Sequence, residues 1–201
     1  PGVIPNLLIT GSGAPTGILV YEGDLLPEPF RGQMIHAEPG RNVVWAFPAK
    51  QKGAGYSARI VDIVRSKVNR NYRPSDVSVA PDGSLFIADW FDPVDCCHRT
   101  INDAGRIFRL APPKHAYAVP VHDYQTPAGA AKALRNPNLS TRYKAWTALQ
   151  AMGVRAWPAL EKMAADKNPR FRARALWALA AMKAGAPKAI ESALRDKSED
   201  V

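Results

Sequence analysis

The stretch Arg73–Leu110, RPSDVSVAPDGSLFIADWFDPVDCCHRTINDAGRIFRL, decides the fold. Asp76–Ala80 reads as a short strand, Pro81-Asp82-Gly83 as a tight turn and Leu85–Trp90 as a second strand. An Asp-Gly pair between apolar, β-branched runs is the strongest short-range hairpin signal, and this reading puts both central residues at φ > 0. After a loop, Gly105–Leu110 supplies a third strand. Three strands joined in this way make most of one four-stranded propeller blade.

Upstream, Leu7–Thr10 is a short apolar run before a glycine-rich bend, and Ile18–Tyr21 is β-like. Leu25–Arg31 reads as a connection; Gln33–Ala37 and Val43–Phe47 read as strands around the turn-forming Glu38-Pro39-Gly40-Arg41-Asn42. Ser57–Val64 alternates, with Ala58, Ile60, Asp62 and Val64 on one face. No helical periodicity appears before residue 110. At about 40–50 residues per blade, residues 1–110 hold about two blades and part of another. A closed propeller needs at least four, so the expectation is a partial propeller, the closing blades of a longer chain.

Pro112-Pro113 opens an extended linker over 111–125, and the composition then shifts to Ala, Leu, Arg and Lys with a period near 3.6. Asn138, Arg142, Lys144, Ala145, Ala148, Leu149, Ala151 and Met152 recur 30 residues on as Asn168, Arg172, Arg174, Ala175, Ala178, Leu179, Ala181 and Met182. Pro127, Pro158 and Pro187 stand near helix starts, where a missing N–H is harmless. Residues 126–201 therefore read as a short HEAT-type α-solenoid of two-helix units, cut off as a third unit begins. Tyr143, Trp146, Leu149 and Met152, with Phe171, Leu179 and Met182 in the second unit, read as its core stripe. The fold class is β then α.

The formal charge of +9 lies mainly in the helical half, where residues 121–201 carry 14 Lys/Arg against 7 Asp/Glu. A solvated Arg/Lys face accounts for that better than nucleic acid, since no nucleic-acid motif accompanies it. No run of about 18 apolar residues spans a membrane. Cys96 and Cys97 are adjacent, too close for an ordinary disulfide, and read as free thiols.

The pattern RPSDVSVAPDGSLFIADW…GRIFRL resembles the closing blade of six-bladed propellers in the sorbosone and glucose dehydrogenase-like group. With GSGAPTGILVYEGDLLPEPFRG upstream and helices downstream, residues 10–185 resemble the planctomycete-type "membrane-bound dehydrogenase" family. Such proteins join a propeller to HEAT-like repeats and often to a c-type haem segment. The resemblance implies a periplasmic or exported quinoprotein-like oxidoreductase acting on a sugar or polyol, with PQQ and Ca2+. Fold alone does not set the reaction.

Asp89, Asp92, Asp95, Cys96, Cys97 and His98 form the densest reactive cluster, but their spacing matches neither a calcium loop nor a structural zinc site, so no metal is assigned. Cys97-His98 lacks the upstream cysteine of C-x-x-C-H, because Val94 stands there, which excludes covalent haem in this segment. In the resembling proteins this loop ends in glycine–histidine; here Cys97 replaces the glycine. The resemblance makes His98 the catalytic base. It also makes Arg73 a cofactor ligand, since guanidinium forks suit the three PQQ carboxylates; Ser75 stands where a second arginine is common. Asp76, Asp82 and Asp89 read as structural, at turns and strand ends. Gly11-Ser12-Gly13 lacks the spacing of a phosphate loop.

The leading expectation is a piece of a sugar dehydrogenase whose HEAT repeats present a protein partner or neighbouring domain. The alternatives are a non-enzymatic propeller–solenoid scaffold binding protein or polysaccharide, and a lactonase-like hydrolase.

Overall fold

The computed structural model describes residues 6–11, 14, 16–91, 104–182, 185–199 and 201. It divides into two compact units, Pro1–Ala118 and Val119–Val201. The first is built of antiparallel sheets that do not close into a barrel, the second of helices.

In the first unit, β1 (Ile18–Val20), β2 (Met34–Glu38), β3 (Val43–Phe47) and β6 (Val61–Arg65) form one antiparallel sheet in the order β1-β2-β3-β6. Pro39–Arg41 makes a 3-10 turn between β2 and β3, and Asn42 follows at φ 54°, a left-handed position that asparagine tolerates. The alternating run Ser57–Val64 is not one strand. It breaks at Arg59–Ile60 into β5 (Gly55–Ala58), which pairs with β4 (Ala49–Lys52) as a separate ribbon, and β6. The reason is partnership: Trp45 and Ala46 of β3 accept only the Val61–Asp62 end of the run, leaving 55–58 to fold back on 49–52. Leu7–Thr10 forms no strand; Leu8 packs instead on the cluster of Val43, Trp45 and Phe47.

The deciding stretch forms β7 (Pro74–Val79), β8 (Leu85–Asp89) and β9 (Arg106–Leu110), an antiparallel sheet in sequence order. The hairpin turn differs from the two-residue expectation. Gly83 stands at φ 88° but Asp82 does not enter the left-handed region. The Gly83 amide donates to the Ala80 carbonyl (2.9 Å) and the Ala80 amide to the Ser84 carbonyl (2.8 Å). This is a three-residue loop, a type I turn closed by a glycine, and only that glycine needs positive φ.

The core lies between these two sheets. Tyr21, Ile35, Ala37, Val44 and Ala46 face Val77, Val79, Leu85 and Ile87. Buried Tyr21 fixes the contact: its hydroxyl donates to the Gly83 carbonyl (2.7 Å) and accepts from the Leu26 amide (3.0 Å). Gly17 allows the closest approach, since a Cβ there would fall 2.7 Å from the Asp76 Cα.

In the second unit, α1 (Pro127–Ala133), α2 (Leu139–Met152), α3 (Trp157–Ala164), α4 (Pro169–Ala181) and α5 (Ala186–Leu194) follow each other with the 30-residue offset of the sequence. Thr126, Asn138 and Asn168 cap α1, α2 and α4 through their side-chain oxygens. Alanines 130, 133, 145, 156, 175 and 178 let the helices approach closely around Leu149, Leu160, Met163 and Leu179. The expected aromatic stripe is corrected here. A step of three residues falls about 60° short of a turn, so a stripe at i, i+3, i+6, i+9 drifts across half the helix. On α2 the inner face is Thr141, Ala145 and Leu149, while Tyr143 and Trp146 turn outward. Phe171, Met152 and Met182 pack on the core, as expected. Among the described residues no helix is long and apolar enough to cross a membrane.

Candidate functional site

Arg73 precedes β7 at the sheet end where Pro74, Asp89 and Arg106 pair in register. Its amide donates to Asp89 Oδ1 (2.8 Å) and its Nη1 to the Pro39 carbonyl (3.2 Å). Asp89 is buried; Oδ1 also accepts from the Phe91 amide (2.9 Å), whereas Oδ2 has no hydrogen-bond partner among the described residues. The nearby Tyr72 hydroxyl is equally buried and unpartnered. Burial first, then the Asp89 carboxylate, pushes that phenol up to about 12, so Tyr72 stays neutral. Arg106 lies over the Phe91 ring (5.0 Å) and closes the same end.

The connection from β8 to β9 leaves this end. His98, Cys96, Cys97, Asp92 and Asp95 lie within it and outside the described residues. Ser12 and Gly13 also fall outside the described residues; Gly11 is at φ 67°, its carbonyl accepting from Arg41 Nη2 (2.5 Å). PQQ is an anion with three carboxylates. At this end the described residues offer it two guanidinium forks, Arg73, engaged on the Pro39 carbonyl, and Arg106, over the Phe91 ring, which could meet part of that charge.

A second polar cluster surrounds Asp82, which sequence reading treats only as a turn residue. Asp82 Oδ1 accepts from the Ser84 amide (3.0 Å) and hydroxyl (2.6 Å). Oδ2 meets Arg109 Nη2 (3.0 Å) and His115 Nε2 (3.2 Å). Burial alone would raise the carboxyl, but hydrogen bonds from Ser84, Arg109 and His115 outweigh it and hold Asp82 down at about 2. The residue types suggest a Ser–His–Asp triad, but the geometry does not make one. Ser84 is fully buried, and both it and His115 address the carboxylate rather than each other. Arg109 also donates to the His115 carbonyl (3.2 Å) and stacks over Tyr117 (5.2 Å), which packs on Phe86. The cluster is a clasp that ties residues 115–117 to the β7–β9 sheet.

In the helical unit, the outward layer formed by α2 and α4 is unusual in two ways. It displays Leu139, Tyr143, Trp146 and Trp177 at 71, 68, 39 and 75% exposure. The two helices also carry Arg142, Lys144, Arg170, Arg172 and Arg174 and no Asp or Glu of their own, Arg172 being buried. The two helices are neighbours: Gln150 Nε2 donates to the Ala178 carbonyl (2.8 Å). Tyr143 and Thr147 occupy the positions that Ala173 and Trp177 hold one repeat later, so both aromatics stand on one face. Arg172 is internal, in a two-pronged pair with Asp196 (2.6 and 2.7 Å) and bonded to the carbonyls of Asp166 and Lys167. The charge-assisted hydrogen bonds from Arg172 hold Asp196 down at about 2.

These features define a β-sheet domain followed by a helical repeat array. Residues 127–201 match HEAT repeats, and residues 9–114 match the family described as Domain of unknown function (DUF7133). The second match takes in more than half of the chain, which belongs to that family and carries HEAT repeats behind it. No curated protein and no solved structure matches the chain.

Proposed function

We propose that the chain is an interaction protein, in which the DUF7133 sheet domain carries a HEAT array and the α2–α4 layer of that array docks a protein partner. HEAT repeats support an interaction arm. The observation that carries the reading is the exposure of Leu139, Tyr143, Trp146 and Trp177 together on one repeat face. Clusters of exposed Trp and Tyr beside Arg are the composition of binding hot spots. A photo-crosslinking residue placed at position 177 should give an adduct that mass spectrometry maps to one segment of another protein. The same group at exposed Leu194, on α5, should give none. Equal yields at both positions, or none at 177, would remove the reading.

A second reading is the sugar or polyol oxidoreductase that the deciding stretch resembles. It is supported by topology: Arg73 stands at the sheet end from which the connection bearing His98 departs. PQQ would supply the electron sink, held in part by Arg73, while His98 would take a proton from a substrate hydroxyl, a role that contributes roughly 10²–10⁴-fold. Arg73→Ala should weaken PQQ binding about tenfold, as loss of a charge-assisted hydrogen bond does. His98→Ala should lower turnover with PQQ saturating. A protein that neither binds PQQ nor reduces a dye with any aldose or polyol would sink it.

A further inference from the structure

We infer that the chain pairs with a second copy of itself along the outer edge of β9, joining two β7–β8–β9 sheets into one continuous sheet about a two-fold axis. The hydrogen-bond alternation decides which groups of β9 face outward. The Ala80 amide donates to the Ser84 carbonyl and the Trp90 amide to the Arg73 carbonyl, which makes Val79–Leu85 and Pro74–Asp89 non-hydrogen-bonded pairs of β7 and β8. Leu85, Ile87 and Asp89 therefore turn their backbone groups toward β9, where Leu110, Phe108 and Arg106 meet them. The backbone amides and carbonyls of Ile107 and Arg109 point the other way and have no partner among the described residues. Ile107 itself is 75% exposed.

Open strand edges are ordinarily blunted by shortness, charge, proline or a bulge. The other sheet follows that rule: β1 has three residues, and β6 is bulged against β3 and carries Asp62 and Arg65. β9 has five residues, no proline and no bulge against β8. Its two cations are engaged elsewhere, Arg109 on Asp82 and Arg106 over Phe91. The strand is also its own complement, which selects a second copy as the occupant. With the axis through Phe108, Ile107 of each protomer lies opposite Arg109 of the partner subunit, and each such pair exchanges both of its outward hydrogen bonds. Phe108 then meets Phe108 of the partner subunit at a non-hydrogen-bonded position, where facing side chains stand closest, and Arg106 meets Leu110 of the partner subunit. No cation faces another. An axis through Arg109 would set that cation against its own copy, and one through Ile107 would leave Leu110 beyond the partner strand. A propeller blade has four strands, and in this pairing each protomer supplies the fourth strand of the other.

Sedimentation equilibrium and amide hydrogen exchange on the 201-residue chain test this. The mass should rise with concentration from that of one chain toward that of two. Over the same range the amides of Ile107 and Arg109 should gain protection, while that of Phe108, bonded to β8, is protected throughout. Ile107→Pro removes an outward donor and leaves the bonds to β8 in place, so it should raise the dissociation constant at least about tenfold. If that variant loses its β-sheet circular dichroism, the charge pair carries the test: opposite Arg109, Ile107→Lys should weaken the dimer and Ile107→Glu should not. A chain that stays monomeric while both amides exchange freely would overturn the inference. Protection at 107 and 109 that does not vary with concentration would assign the edge to another segment of the same chain. A dimer indifferent to Ile107→Pro, or weakened equally by Ile107→Lys and Ile107→Glu, would place the contact elsewhere. Either result overturns the inference as well.

Discussion

Asp82 shows how one side chain comes to hold parts of the chain far apart in sequence. Its role in the turn is legible in Pro-Asp-Gly, because the short carboxylate reaches its own backbone two residues on. Its partners Arg109 and His115 are 27 and 33 residues away, and no local pattern marks a distant ion pair. Asp82→Ala should destabilise the sheet unit by about 1–3 kcal/mol, the range for leaving buried polar partners unsatisfied, measured by urea unfolding. The pH dependence has a fixed sign. A carboxyl held at about 2 when folded, below its ordinary 3.8, contributes stability that is complete above 3.8 and lost as pH falls through about 2. Hydrogen exchange between pH 5 and pH 2 should show that loss in the sheet unit of the native chain and a smaller one in Asp82→Asn. The corresponding loss in the helical unit, carried by Asp196, should persist in that variant. Gly17→Ala is a sharper change. Its Cβ would meet the Asp76 backbone, which cannot rotate away, so a loss of about 1–3 kcal/mol is expected from the overpacked contact.

The elements were legible in proportion to how locally they are determined. β7, β8 and β9 follow from alternation and turn chemistry, and α2 and α4 from the repeat and from Asn138 and Asn168 at its start. Ser57–Val64 was misleading because alternation specifies a strand but not its partner, and the break at Arg59–Ile60 depends on what β3 accepts. Trp146 was misleading because the stripe that contains it drifts off the core. That difference is measurable. Leu149→Ala and Leu160→Ala, both fully buried, should cost about 2–5 kcal/mol by thermal or urea unfolding. Trp177→Ala, on the outer face, should stay within about 0.5 kcal/mol. A large loss at Trp177 would mean that it belongs to a packed core.

At the scale of the whole molecule, the two units keep separate cores: one gathers residues between Tyr21 and Ile87, the other residues between Ala130 and Ala189. Hydrogen exchange on the intact chain should therefore respond by unit. Leu149→Ala should raise exchange in α1–α5 and leave β7–β9 unchanged; Leu85→Ala should do the reverse. The division into β then α was legible because residue periodicity changes after residue 110, whereas the cluster of Asp82, Arg109 and His115 was not, because it joins residues distant in sequence. One structural detail reaches beyond folding. The β4–β5 ribbon stands outside both sheets, anchored at its base by the Ala49 amide to Gln33 (2.9 Å) and the Arg59 amide to Pro48 (3.2 Å). Around Gly53 at its tip, a side chain would meet nothing within 4 Å. Doubling a loop's length costs only about 0.6 kcal/mol. The Lys52–Gly53 junction is thus a place to splice in an epitope or a biotin-acceptor tag, giving the protein a tether for immobilisation on the unit that does not carry the α2–α4 layer.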